Sequence, residues 1–421
     1  MAGAASAAQD RAIDNEEAGL TLQHAVAQVI AWHPSVEEAV ENVRAQGEEI
    51  EVAKAGYQPQ ISGGIGAGYD RNAVNRWRPR ANLNASQMLY DFGKVSSDVR
   101  ITQAGSRISN ARLLLAVDNL VRDTGYAVIE SQRAAALQRV AAEQLTELRA
   151  IETLVRYRFQ RGAGTRSDAL QAQARVNGAE TTLQQIEAER DRWRSNLAHL
   201  LGKQTVAEVE ASVPLWLDGT CARDKVDWAD VPAIMEAQAQ RDQASAAYDR
   251  SRSERLPVIS VEAGASTELQ DPLSRRADYN VGLRVTAPIS NGGATSARAR
   301  GAGYSLRAAT AAEARVRNDI SRLLTEAQQQ VTSFEQIKLT LAARERDMRE
   351  TGSLYRLQYL EMGTRTLVDL LNAQQELHQA RFDQTNTEHD LRRLQIDCLY
   401  YSGAARRAFS LQGQNVRGVT L

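Results

Sequence analysis

The hydrophobic positions of this 421-residue chain change period as the chain runs on, and then run through the same changes again. Over residues 21–55, Leu22, Val26, Val29 and Ile30 recur at helical spacing behind Thr21, a good cap. His33-Pro34 predicts a turn or kink within that helix, because proline lacks a donor and restricts its predecessor. After Gly56 and Pro59 the period falls to 2. Ile61, Ile65, Ala67 and Tyr69 alternate with Ser62, Gly64, Gly66 and Gly68. Beyond a polar loop at 70–79, Ala81, Leu83, Ala85 and Leu89 alternate with Asn82, Asn84, Ser86 and Tyr90. The pattern predicts a β-hairpin over about 57–90, with strands of about ten residues that cross a bilayer when tilted. Asp91-Phe92-Gly93 closes it, and a helical pattern follows from about 96 to 160. At about 1.5 Å per residue such a helix is about 100 Å long, a coiled-coil-like rod rather than part of a globular core. A helix of about half that length returns over 166–202, and the helix at 21–55 is expected to stack end to end on it.

An irregular linker at 203–228, with Pro214, Trp216, Asp218-Gly219 and Trp228, separates this repeat (21–202) from a second (229–403). The second has a helix near 230–254, a hairpin near 256–288, a long helix near 295–361 and a return helix from 366 to about 401. Residues 404–421 show no clear pattern. The two loops between long and return helices, 162–165 and 362–366, match best. RGAGTRSDALQAQ at 161–173 and MGTRTLVDLLNAQ at 362–374 superpose at a shift of 201, aligning Gly162 with Gly363, Thr165 with Thr366 and Asp168 with Asp369. Glycine ends one helix, Thr restarts the next, and Asp faces the positive end of the new helix dipole. Each copy is therefore the tip of a helical hairpin.

Composition adds constraints. Net charge is −1, which gives no argument for nucleic-acid binding. Arg, Glu, Gln and Ala abound while aromatics are 5%, the composition of long helices. No apolar run approaches a transmembrane helix, so membrane insertion must be by strands. Residues 1–20 look like the small-residue end of a secretory signal. Cys221 and Cys398 lack metal-site spacing; they are two free thiols or, in an exported chain, a disulfide. The five His are scattered, and no catalytic set, metal site or cofactor motif stands out. Arg275 and Arg276 are read as solvated loop residues. Four strands with one apolar face cannot close a barrel, and an open edge cannot sit in lipid. The fold class expected is an α+β membrane protein, internally duplicated, whose copies associate to complete the barrel.

The arrangement resembles the TolC-like outer-membrane channels of tripartite efflux pumps and type I secretion systems. The resemblance covers about 21–403 and is most specific at GTRTLVDLLNA, residues 363–373. It implies a homotrimer with a 12-strand outer-membrane barrel on a periplasmic helical tunnel, no catalysis, a periplasmic adaptor and an inner-membrane transporter of ABC type. It places a pore-narrowing acidic ring at Asp369, with Asn372 where the family has a second acid. It pairs a gate arginine at Arg365 with Asp168, beside Ser167. It puts Leu360 at the family's tyrosine-latch position, next to Tyr359, and offers Gly162, Ala163, Gly363 and Thr364 to the adaptor. The segment DCLYYSGAARRAFSL at 397–411 looks like the branch that exports large adhesins; multidrug efflux is the alternative. A soluble coiled-coil scaffold without a pore is the competing reading, and the hairpins placed at matching points of both repeats argue against it.

Overall fold

A computed structural model describes residues 19–69, 77–222, 226–269 and 277–421. Most of the expected signal remnant, and Arg275 and Arg276, lie outside the described residues. In order the elements are α1 (Leu22–Trp32), α2 (Pro34–Lys54), β1 (Gln60–Tyr69), β2 (Trp77–Tyr90), α3 (Lys94–Gln160), α4 (Arg166–Leu200), α5 (Pro232–Ser253), β3 (Val258–Glu268), β4 (Asp278–Thr286), α6 (Ala294–Leu357), α7 (Leu367–Tyr401), α8 (Ala405–Ala408), β5 (Asn415–Val416) and β6 (Val419–Thr420). The chain forms two compact units, and each takes parts of both repeats.

One unit holds 38–114 and 232–318. Its centre is an antiparallel sheet in the order β1-β2-β3-β4. Ile61 faces Ala85, Leu83 faces Ala265 and Ile259 faces Val285. Because side chains alternate along a strand, these registers gather the odd-numbered positions on one face, up to the irregularity at Met88–Tyr90 that sets Tyr90 opposite Ile259. Ile61, Ile65, Leu83, Tyr279, Val281, Leu283 and Val285 are all exposed there. In water each such side chain forgoes about 1.5–3 kcal/mol of burial; lipid removes that cost. The even-numbered face is polar and carries the ion pairs Arg80–Glu268 and Arg284–Glu262. A Cβ at Gly264 would stand 2.4 Å from Asn280 Oδ1, so a side chain there would have to displace that amide. Beside the sheet, α3 and α5 are joined by Arg100–Asp249, Arg107–Asp242 and Arg112–Glu236 at 3.0, 3.2 and 2.8 Å.

The other unit holds the described residues of 19–37, 115–231 and 319–421. Its α1 buries Leu22, Ala25, Val26, Val29 and Ile30, and the chain breaks at His33 before proline. Trp32 Nε1 donates to the Leu200 carbonyl at 2.9 Å, so α1 meets the end of α4. Gly202 permits this: its φ is +65°, and a Cβ would lie 2.4 Å from the indole. Residues 203–228 contain short 3-10 turns at Leu215–Leu217 and Thr220–Ala222. Cys221 and Cys398 are bonded, fixing the second turn to α7.

The stretch after 403, patternless in sequence, is ordered and packed. It forms α8 and the β5-β6 hairpin, and Ala405, Arg406 and Leu411 are buried. The buried guanidinium of Arg406 bonds Asp118 and donates to the Asp230 carbonyl at 2.7 Å. A segment this short shows too few periods to be read, and its order comes from partners nearly 300 residues away. Among the described residues, no helix is long and apolar enough to cross a membrane.

Candidate channel tips

Both tips lie in the second unit, and each is built by local rules. At the first, α3 ends and Gly162 takes φ +75°, while the Ala163 N–H donates to the Arg158 carbonyl at 2.9 Å. Thr165 then caps α4. Its hydroxyl accepts from the Asp168 N–H at 3.1 Å, and the Asp168 carboxylate accepts from the Thr165 N–H at 3.3 Å. The second tip repeats the box with Thr366 and Asp369, at 3.2 Å in both directions, and the Thr366 hydroxyl adds a bond of 2.9 Å. The Thr366 backbone and hydroxyl hold the Asp369 carboxyl below its ordinary range, with Arg365 adding to the effect. Both acids thus serve helix starts. Gly162, Ala163, Gly363 and Thr364 are exposed at the ends of the hairpins, and Ser167 bonds the Thr165 hydroxyl at 2.8 Å.

The tips differ in one respect. Helix α6 finishes in a π turn, Gln358–Met362, which α3 lacks. A π turn accommodates one extra residue in a helix. The sequence holds the trace of that insertion: Arg156 and Arg356 stand 200 apart, whereas Gly162 and Gly363 stand 201 apart. This change of offset is the signal that would have revealed the turn.

The π turn directs Tyr359 inward, where it is buried with Val155, Ala172, Leu367, Leu370 and Leu371. The Arg158 guanidinium lies 4.8 Å above the Tyr359 ring and donates to the Tyr359 carbonyl at 3.0 Å. With the shared apolar core this contact joins the two tips, and Arg158 was not singled out in the sequence. Within the chain, the expected pair of Arg365 with Asp168 is not formed. Arg365 stays on its own loop, donating to Gln358 Oε1 at 3.2 Å and stacking on Tyr355 at 4.4 Å, and the Asp168 carboxylate is taken by its capping box. Leu360, at the latch position, packs on the same core, and its neighbour Tyr359 makes the cross-tip contact. Asn372 accepts a long bond, 3.4 Å, from Arg175 of α4. Among the described residues no cluster of His, Cys, Asp and Glu could hold a metal ion.

Duplicated helical hairpins with capped tips, together with a sheet apolar on one face, fit an export channel of the outer membrane. The outer membrane efflux protein family matches residues 25–203 and 229–397, and the chain belongs to that family. It is a TolC-type efflux or secretion channel, not an enzyme, seated in the outer membrane and extending into the periplasm. Channels of this family work with periplasmic adaptors and inner-membrane transporters. The chain is similar to outer membrane efflux protein BepC of Brucella suis, 26% identical over 83% of this chain and 78% of that one. It is similar to protein CyaE of Bordetella pertussis, 25% identical over 67% of this chain and 63% of that one, so it spans less than two thirds of CyaE. It is also similar to alkaline protease secretion protein AprF of Pseudomonas aeruginosa, 23% identical over 78% of this chain and 70% of that one. Among solved structures, the fold is shared with the outer membrane protein VceC of Vibrio cholerae: TM-score 0.80, 15% identity, 91% of this chain and 96% of that one. It is also shared with the open-state MtrE channel of Neisseria gonorrhoeae: TM-score 0.76, 19% identity, 91% and 88% of the two chains.

Proposed function

We propose that three copies of the chain form a 12-strand barrel continued by a periplasmic tunnel of helices. This assembly is the exit duct of a type I secretion machine with an adaptor and an ABC-type transporter, and its cargo is protein, a large adhesin. The observation that supports the duct most is the four-stranded sheet, apolar on one face, polar on the other, and unpaired at β1 and β4. Such a sheet is at rest in lipid only when further copies pair its edges. The likeness to a protease secretion protein supports protein cargo, and the likeness to BepC supports multidrug efflux as the second reading. Deleting the gene and scoring surface adhesin against drug susceptibility separates them: loss of adhesin with unchanged susceptibility supports secretion, and the reverse supports efflux. A detergent mass of one chain with no conductance in planar bilayers leaves the scaffold reading.

At the tips, Asp369 of three copies is taken to form a ring that draws multivalent cations, one layer deep because Asn372 is neutral. Arg365 shapes its loop beside the ring, and Gly162, Ala163, Gly363 and Thr364 meet the adaptor. Asp369→Asn is expected to weaken block by a trivalent cation in single-channel recordings; unchanged block removes the ring.

A further inference from the structure

The chain contains its own template for the seam between copies. β3 follows β1 at an offset of 198, since Ile61 and Ile259 hold matching places, and β4 follows β2 at 200, since their partners Ala85 and Val285 do too. Within the chain, the first hairpin meets the second along β2 and β3, where Leu83 faces Ala265 and Ala85 faces Ala263. In a closed barrel the second hairpin of one copy meets the first hairpin of the next along β4 and β1. We infer that this second seam repeats the register of the first and is locked beside the sheet by an ion pair between Arg300 and Glu51 of the next copy. The inference rests on the trimeric barrel proposed above.

The register follows by transfer. Leu83 moves to Leu283, and Ala265 moves to Ala67, the same residues in both seams. Val285 then faces Ile65 and Val281 faces Tyr69, which extends the exposed apolar face across the joint without a break. On the other face Arg284 falls opposite Gly66, as Asn84 falls opposite Gly264 within the chain.

The helices beside the sheet obey the same transfer. Inside the chain α3 and α5 are tied by Arg100–Asp249 at 3.0 Å. The equivalents are Arg300 of α6 and Glu51 of α2. Arg300 has no acidic partner among the described residues, and Glu51 holds only Lys54, at 2.8 Å on an exposed helix surface. The wider charges agree: α2 carries six glutamates against Arg44 and Lys54, whereas 294–317 of α6 carries five arginines against Glu313. Arg300 and Arg307 line a cavity of about 840 Å³ with Arg252 and Arg255, and its acid, Asp249, is already taken by Arg100. Of the three α3–α5 pairs only this one carries over. The transfer sets Arg307 against Arg44, which Glu41 already holds at 2.6 Å, and Ala312 against Glu38.

Cysteine crosslinking tests the register. The native cysteines stay in their disulfide, and β1 and β4 of one chain are kept apart by β2 and β3, about three strand spacings of about 4.8 Å, so a bond between new cysteines links two chains. Oxidising the Ala67→Cys, Leu283→Cys protein in detergent is expected to give a ladder ending at three chains. Faster linking of Leu283→Cys to Ile65→Cys or Tyr69→Cys overturns the register. No linking at any of the three, in protein whose detergent mass is three chains, overturns the seam; a mass of one chain overturns the trimer itself. For the ion pair, Arg300→Glu and Glu51→Arg are each expected to raise the monomer fraction severalfold at a fixed dilution, and the double swap to return it to the wild-type value. A double swap no better than the single ones overturns the pair.

Discussion

His389 shows how one buried side chain ties this channel to pH. It is 4% exposed, with Nδ1 at 2.8 Å from the Thr385 carbonyl. Burial pulls its pKa down to about 4 from 6.5; Arg392 and Arg133 press the same way, and the Thr385 carbonyl and Glu388 oppose them. The folded chain therefore keeps the imidazole neutral where the unfolded chain protonates it. Stability from this group is fully present above pH 6.5 and is lost as pH falls toward 4, by about 2 kcal/mol at pH 5. Denaturant midpoints at pH 7.5 and pH 5 are expected to separate for the wild type and to draw together for His389→Gln. Equal separation in both proteins would remove His389 as the cause. At this scale the sequence reveals what is local. Asp168 and Asp369 are legible because a capping box spans three residues. Arg158 on Tyr359 is not, because the partners lie 201 residues apart and nothing in either neighbourhood names the other.

Among the elements, the long helices and the strands were readable because each repeats its hydrophobic period many times, 67 residues in α3 and 64 in α6. The π turn was not read, because a single inserted residue leaves the helical pattern on both sides intact and only changes its phase. That phase has a consequence. One residue of helix is about 100° of rotation, so the insertion decides whether Tyr359 or its neighbour faces Arg158. Deleting Glu361 is expected to turn 358–362 into ordinary helix, carry Tyr359 off Arg158 and loosen the tip, raising single-channel conductance. Arg158→Ala removes the same contact with the helix unaltered and is expected to act in the same direction. Unchanged conductance in both variants would show that the contact does not restrain the tip.

Across the whole molecule, duplication explains both the fold and the place where the two copies had to be secured. The repeats are joined through 203–228, whose described residues hold short 3-10 turns, and the Cys221–Cys398 bond fastens it to the last long helix of the second repeat. The linked residues are 177 apart, so the bond removes much freedom from the unfolded chain, and loss of a native disulfide costs about 2–5 kcal/mol. The compartment suits it, since the periplasmic side of the outer membrane is oxidising. The bond is also far from the second tip: Cys398 and Asp369 sit on one continuous helix, 29 residues apart, which is about 44 Å. Stability and gating should therefore separate. Cys221→Ser with Cys398→Ser is expected to lower the melting temperature by several degrees while single-channel conductance and cation block keep their wild-type values. A shift in conductance would mean that strain at the linker reaches the tips along α7, and an unchanged melting temperature would mean that packing around Leu324, Ala327 and Val331 already holds the linker without the bond.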